Sequence, residues 1–225
     1  MNIRNRFKDA PWMTLSPSIH ILGAGGIGSN TIYNLTKTIP GEYYLQDYDL
    51  VENHNIGTQF FGKSDLGLYK VEALQKKIRD YSELTITALT SKFLEHGNVL
   101  PICITGFDNM EARKNAFNSW NALNNKEIFI DGRMRANLYE VYVVLPGREK
   151  EYEKTLFDDS EVDDGECTFK STAYVGMMIG ARITQVMVNY LTNKASKEEI
   201  CSIPFKIQEF TEPFLINIED YENIE

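Results

Sequence analysis

The stretch Ile21-Leu22-Gly23-Ala24-Gly25-Gly26-Ile27-Gly28-Ser29-Asn30 decides the fold, because its glycines have the spacing of a phosphate-cradling turn between a buried strand and a helix. Gly23 permits the tight turn, Gly25 lets the backbone approach a phosphate, and Gly28 allows the helix to pack hard on the sheet. The helix N-terminus then faces the anion with unpaired N–H groups. Alone, the pattern is also compatible with a purely structural glycine turn, so the rest of the chain must select the nucleotide and the chemistry.

Working outward, residues 18 to 145 alternate short apolar runs with amphipathic ones, the pattern of parallel βαβ units. Strands are expected at 18–22, 43–46, 84–89, 102–105, 127–131 and 140–145, with helices at 27–38, 71–81 and 110–121. Glu149 to Glu166 is polar and includes the run Asp158-Asp159-Ser160-Glu161-Val162-Asp163-Asp164, which reads as a solvated, mobile crossover loop. A long apolar helix is expected at 172–193, rich in small residues and Met, then a strand at 205–210 and an acidic stretch to Glu225. The whole reads as one domain, 1–225, with a nucleotide-binding core at 18–145 and the crossover loop, long helix and last strand in 146–225.

Composition narrows the function. With 225 residues, 43% of them hydrophobic, the chain can bury a substantial core, and a net charge of −9 argues against coating a nucleic acid. The three cysteines, Cys103, Cys167 and Cys201, are far apart and form neither a disulfide framework nor a C-x-x-C knuckle, which predicts no zinc and a reducing, cytoplasmic home. No export signal or 18-residue apolar span is read, so no membrane association is expected.

Further chemistry lies downstream of the turn. Asp47 ends the second strand, where a carboxylate accepts ribose hydroxyls, and Asp49, Asn55 and Gln59 follow it closely. Gly67-Leu68-Tyr69-Lys70 brings an ammonium group to a helix start, within reach of phosphate oxygens. Phe107-Asp108-Asn109-Met110-Glu111-Ala112-Arg113 places an acid at a strand end, where it suits Mg²⁺ beside a triphosphate. His20, His54 and His96 stand in no triad-like setting.

With these motifs in order, the chain resembles the ThiF/MoeB/HesA family of ubiquitin-activating-enzyme-like adenylyltransferases from about Ser18 to Asn193. The matching positions are Gly23, Gly25, Gly26, Gly28 and Ser29; Asp47, Asp49, Val51, Asn55 and Gln59; Gly67 and Lys70; Asp108, Asn109 and Arg113. The resemblance implies an α/β, Rossmann-like three-layer fold with a mostly parallel sheet. It implies ATP and Mg²⁺ as cofactors, and adenylation of the C-terminal carboxylate of a small ubiquitin-like or sulfur-carrier protein or peptide by a homodimer. It also implies ribose contact by Asp47, phosphate contact by Lys70 and Mg²⁺ contact by Asp108. The long helix, with Met177, Met178, Ile179, Ile183, Val186 and Met187, serves equally as dimer surface or core.

Two departures stand out. Thr58 occupies the place of an arginine that usually precedes Gln59, so one phosphate-facing guanidinium is absent; Arg4 or Arg6 from a second subunit, or Arg133 or Arg135, are candidate replacements. Cys167 lies where thiol-using relatives place a reactive cysteine, and both a covalent role and an inert thiol stay open; Cys103, inside an apolar strand, reads as core. A degenerate nucleotide binder is the alternative reading. An NAD(P)-dependent oxidoreductase shares the glycine turn and Asp47 but leaves the lysine and Asp-Asn motifs without a role.

Overall fold

The computed structural model describes residues 3–135, 138–157, 173–211 and 214–219. Its first half runs β1 (Ser18–Leu22), α1 (Gly26–Thr38), β2 (Glu42–Gln46), α2 (Asn53–Ile56), α3 (Lys70–Ser82), β3 (Thr87–Leu89), β4 (Ile102–Thr105) and α4 (Met110–Asn121). β5 (Ile128–Arg135), β6 (Leu138–Val144), α5 (Glu149–Glu153), α6 (Ala173–Ser196), β7 (Lys206–Thr211) and β8 (Phe214–Glu219) follow. The strands form one sheet in the order β3-β2-β1-β4-β5-β6-β7-β8. β3 through β5 pair in parallel, and β6, β7 and β8 extend the sheet antiparallel. The chain crosses from one side of β1 to the other between β2 and β4, which opens a crevice at the strands' carboxyl ends.

Alternation along β1 builds the three layers. Ile19 and Ile21 face one core with apolar residues of α1, α3 and α6, while Leu22 faces the other with Ala116, Phe117 and Trp120 of α4 and Tyr152 of α5. Each such fully buried aliphatic side chain contributes roughly 1.5–3 kcal/mol. Helix α6 lies against α1 because its small residues leave room: a Cβ on Gly176 would come within 2.6 Å of the Gly26 carbonyl oxygen, and one on Gly180 within 2.9 Å of the Thr31 nitrogen.

Several expectations are corrected. β3 begins at Thr87 rather than Leu84, because Glu83 caps α3 in the left-handed region at φ 61° and the Gln75 side chain takes the Ile86 carbonyl at 2.7 Å. β5 runs on to Arg135 as one arm of a hairpin with β6, in the register Asp131↔Tyr142 and Arg133↔Glu140. The polar segment after Pro146 does not start as a solvated loop: α5 forms there, and Tyr152 is fully buried with its ring 4.6 Å from that of Phe117. Residues 158–172, with Asp158–Asp164 and Cys167, lie outside the described residues. The acidic C-terminal stretch contributes β8, whose backbone pairs with β7. On α6, Ile179, Ile183, Val186 and Met187 are buried within this subunit, which leaves Met177 exposed and Met178 half-buried.

Candidate nucleotide-binding site

The glycine turn sits where the carboxyl ends of β1, β2 and β4 meet. Gly23 has φ +91°, and a Cβ on Gly28 would lie 1.8 Å from the Gly23 carbonyl oxygen, so the turn and the helix start cannot separate to admit a side chain. Gly25 differs: a Cβ there would meet only the Gln59 Nε2, at 3.9 Å. That open side is where a phosphate can approach. The turn is tied to its neighbours by Gly23 N–H donating to the Gln46 carbonyl and Gly106 N–H donating to the Leu22 carbonyl, each at 2.9 Å.

Asp47 faces this turn. Its Oδ2 accepts from the Ala24 backbone N–H at 2.7 Å and its Oδ1 from the Asp49 N–H at 2.8 Å, which leaves further lone pairs for a ribose. Burial pushes its pKa above the usual carboxylate value, partly offset by these two N–H groups and by Lys70. Lys70, the first residue of α3, donates to Asp49 Oδ2 at 2.7 Å, and its backbone N–H donates to the Asp49 carbonyl at 2.9 Å. The lysine side chain is 8% exposed and that of Asp49 is 47% exposed, so the pair is open to solvent on the acid's side.

Asn55, in α2, and Gln59, just after it, belong to the segment that passes beside the turn. Asn55 is buried and its Oδ1 accepts the Glu52 N–H at 2.8 Å, which makes it a brace of this segment. Gln59 Oε1 is buried with no hydrogen-bond partner among the described residues, while the Nε2 of the same amide is the atom nearest Gly25. That Nε2 is a donor, the group a phosphate oxygen at Gly25 can accept from. Thr58 is half-buried, with its hydroxyl bonded to the His54 carbonyl at 3.3 Å.

Asp108 is exposed just beyond β4, and Asn109 accepts the Ala112 N–H at 2.8 Å as the N-cap of α4. One hard carboxylate oxygen donor, completed by phosphate oxygens, is the donor set that Mg²⁺ takes beside a nucleotide. Among the described residues no group of three or more His, Cys, Asp or Glu side chains could hold a metal ion by itself.

Arg113 does not face the crevice. It is buried and donates to Asp131 Oδ1, to the Gly132 carbonyl at 2.9 Å and to the Phe107 carbonyl. Arg133 is likewise spent: its Nε donates to Asp131 Oδ2 at 2.6 Å, and its Nη atoms donate to the carbonyl and hydroxyl of Thr155, both at 2.9 Å. This overturns Arg133 as a free phosphate ligand. The Arg135 side chain lies outside the described residues, Arg4 is buried and donates to the Thr36 carbonyl at the end of its own α1, and Arg6 is exposed.

Sequence reasoning missed the centre these arginines surround. Asp131 is fully buried and accepts from Thr105 Oγ1 at 2.9 Å, Arg113, Arg133 and Tyr152 OH at 2.9 Å. Burial pushes its pKa up, but the two guanidiniums outweigh that and hold it below the usual carboxylate range. The available signal was the period of two that puts Asp131 and Arg133 on one face of an otherwise apolar strand. Cys103 is fully buried as expected, and burial pushes its thiol far up.

Comparison with known proteins fixes the class. The ThiF family pattern matches residues 14–215. The chain belongs to the ThiF family. It is 25% identical over 204 residues to ubiquitin-like modifier-activating enzyme 5 of Gallus gallus, an alignment covering 78% of this chain and 51% of that protein. The chain thus spans about half the length of such relatives. Among solved structures it is similar to E. coli MccB with ATP, at TM-score 0.69 and 18% identity, covering 97% of this chain and 65% of that one. MccB with MccA-N7isoASN gives TM-score 0.71 and 20% identity, covering 97% and 66%. At such identity these structures share the fold.

Proposed function

We propose that this chain is an ATP-dependent adenylyltransferase that activates the C-terminal carboxylate of a small ubiquitin-like or sulfur-carrier protein or a peptide. The supporting observation is the convergence of Gly25, Gln59, Asp47, Lys70 and Asp108 around one crevice, with the Gln59 Nε2 donor beside the open face of Gly25. In this reading Asp47 accepts the ribose hydroxyls, Lys70 swings its ammonium from Asp49 toward phosphate oxygens, and Asp108 holds Mg²⁺. The ion supplies charge neutralisation at the phosphates. The substrate carboxylate attacks the α-phosphorus, an acyl–O–P bond forms, and the bond to the bridging oxygen breaks to release pyrophosphate. A carboxylate is already nucleophilic at neutral pH, so the chain needs to position and neutralise rather than to abstract a proton.

That the family relatives are named ubiquitin-like modifier-activating enzymes and that MccB has been crystallised with ATP support the same reading. The experiment is exchange of labelled pyrophosphate into ATP by the full chain, offered ubiquitin-like proteins ending in Gly-Gly and peptides with free C-termini. Exchange that needs the free carboxylate supports the proposal. ATP binding without exchange on any of them favours the second reading, a nucleotide binder with little turnover, which Thr58 in place of an arginine supports. We carry the expected homodimer as part of the proposal: Tyr174 and Met177 are exposed on α6, and sedimentation equilibrium tests it.

A further inference from the structure

We propose that Asp131 is the positioning residue for Asp108, holding the turn that presents this exposed carboxylate to the crevice; the inference rests on the nucleotide reading of the site. Asp108 follows the short turn Thr105-Gly106-Phe107. One oxygen of Asp131 secures both ends of that turn: Oδ1 accepts directly from the Thr105 hydroxyl and from Arg113, whose other Nη donates to the Phe107 carbonyl. The middle is tied to β1 through the Gly106 N–H and the Leu22 carbonyl. The far side of Asp108 is fixed by the Asn109 cap of α4, the helix that also carries Arg113.

The second oxygen sets the orientation of the first. Oδ2 accepts from Arg133 Nε and Tyr152 OH, so Asp131 is gripped by side chains from β4, α4, β5 and α5 together. A carboxylate offers about four acceptor sites, and four donors fill them. Asp131 is also 0% exposed. It therefore touches no ligand itself, and its influence reaches the crevice only through the backbone that carries Asp108. The glycine turn shares that backbone, since a Cβ on Gly23 would lie 3.1 Å from the Gly106 carbonyl oxygen. Groups that orient a metal-facing carboxylate from behind typically tune metal affinity 10- to 100-fold.

The test is titration calorimetry of the full chain with ATP, in Mg²⁺ and in EDTA. In the wild type Mg²⁺ strengthens ATP binding, and Asp108→Asn removes that gain. Asp131→Asn is expected to reduce the Mg²⁺-dependent gain about 10- to 100-fold, with a smaller change in the affinity in EDTA. Thr105→Val and Tyr152→Phe remove one donor each without changing charge, and reduce the same gain about two- to tenfold; they decide the matter if Asp131→Asn does not fold. Adding Tyr152→Phe to Asp108→Asn has no further effect on the gain, because both act through one carboxylate. Variants that lower the melting temperature yet keep the full gain overturn the positioning role alone. A wild type that binds no ATP overturns the nucleotide reading and this inference with it.

Discussion

Asp47 stands just beyond β2 and Asp131 where β5 stops pairing with β4, three places apart in the sheet, and their surroundings could hardly differ more. Asp47 is half-buried, accepts two backbone N–H groups and keeps lone pairs turned to the crevice. Asp131 is sealed, accepts four side-chain donors and has none to spare. The difference separates two uses of one functional group. An open carboxylate has lone pairs to offer a ligand, and a saturated one holds its neighbours in place.

Four measurements break or sharpen this contrast. The largest effect is expected at the sealed centre: Asp131→Ala leaves two buried guanidiniums without their counter-charge and lowers unfolding free energy in urea by about 3–5 kcal/mol. A loss under 1 kcal/mol, measured the same way, would place the centre in contact with water after all.

The second concerns His20, which faces the same layer of the sheet as the sealed centre. Its Nε2 is buried without a hydrogen-bond partner among the described residues, and burial holds the imidazole down at about 4, against 6.5 in the unfolded chain, with the Gln46 side chain opposing. The unfolded chain then takes up the proton first. Stability is full above pH 6.5 and falls as pH drops toward 4, by up to about 3 kcal/mol. His20→Leu should flatten that limb of a plot of urea midpoint against pH; equal slopes in the two proteins would show that this face is wet.

At the open end the balance reverses. Lys70→Ala is expected to weaken ATP binding at least tenfold, about 1.4 kcal/mol, while stability changes by less than about 1 kcal/mol because Asp49 is half-exposed. Calorimetry and urea melts read the two numbers. A large stability loss with unaltered ATP affinity would turn Lys70 into a structural residue. Smallest of the four, Thr58→Arg restores one charge-assisted contact to the phosphates and tightens ATP binding several-fold, about 1 kcal/mol. No tightening would mean that the phosphates lie out of reach of this position.

The same contrast explains what could be read from the chain beforehand. The groups proposed to meet the nucleotide keep fixed places relative to a glycine turn, so Asp47, Lys70 and Asp108 occur in short linear motifs that can be read from the chain, as can β2, α3 and β4 beside them. The sealed centre draws Thr105, Arg113, Asp131, Arg133 and Tyr152 from four elements, and only tertiary packing brings these together. Arg113 was assigned to the ligand for that reason, although its guanidinium turns inward. Tyr152 was hidden by its polar neighbours, and β8 by its acidic ones, since a composition shift toward charge reads as a loop even where alternate residues pair in a sheet. Arg133 cut short the apparent end of β5 because a buried charge breaks an apolar pattern without breaking the strand.

Helix α6 has a consequence for how this protein can be dissected. Gly176 and Gly180 bring it into contact with the Gly26 carbonyl and the backbone at Asn30 and Thr31, immediately behind the N-terminal end of α1. The first half of the chain holds every motif residue, yet the floor under its glycine turn is supplied from the last quarter. Modularity in the sequence is therefore not modularity in the folded object. A shortened version ending at Phe157 would retain all the recognisable letters of a nucleotide site and lose the helix that backs the first turns of α1.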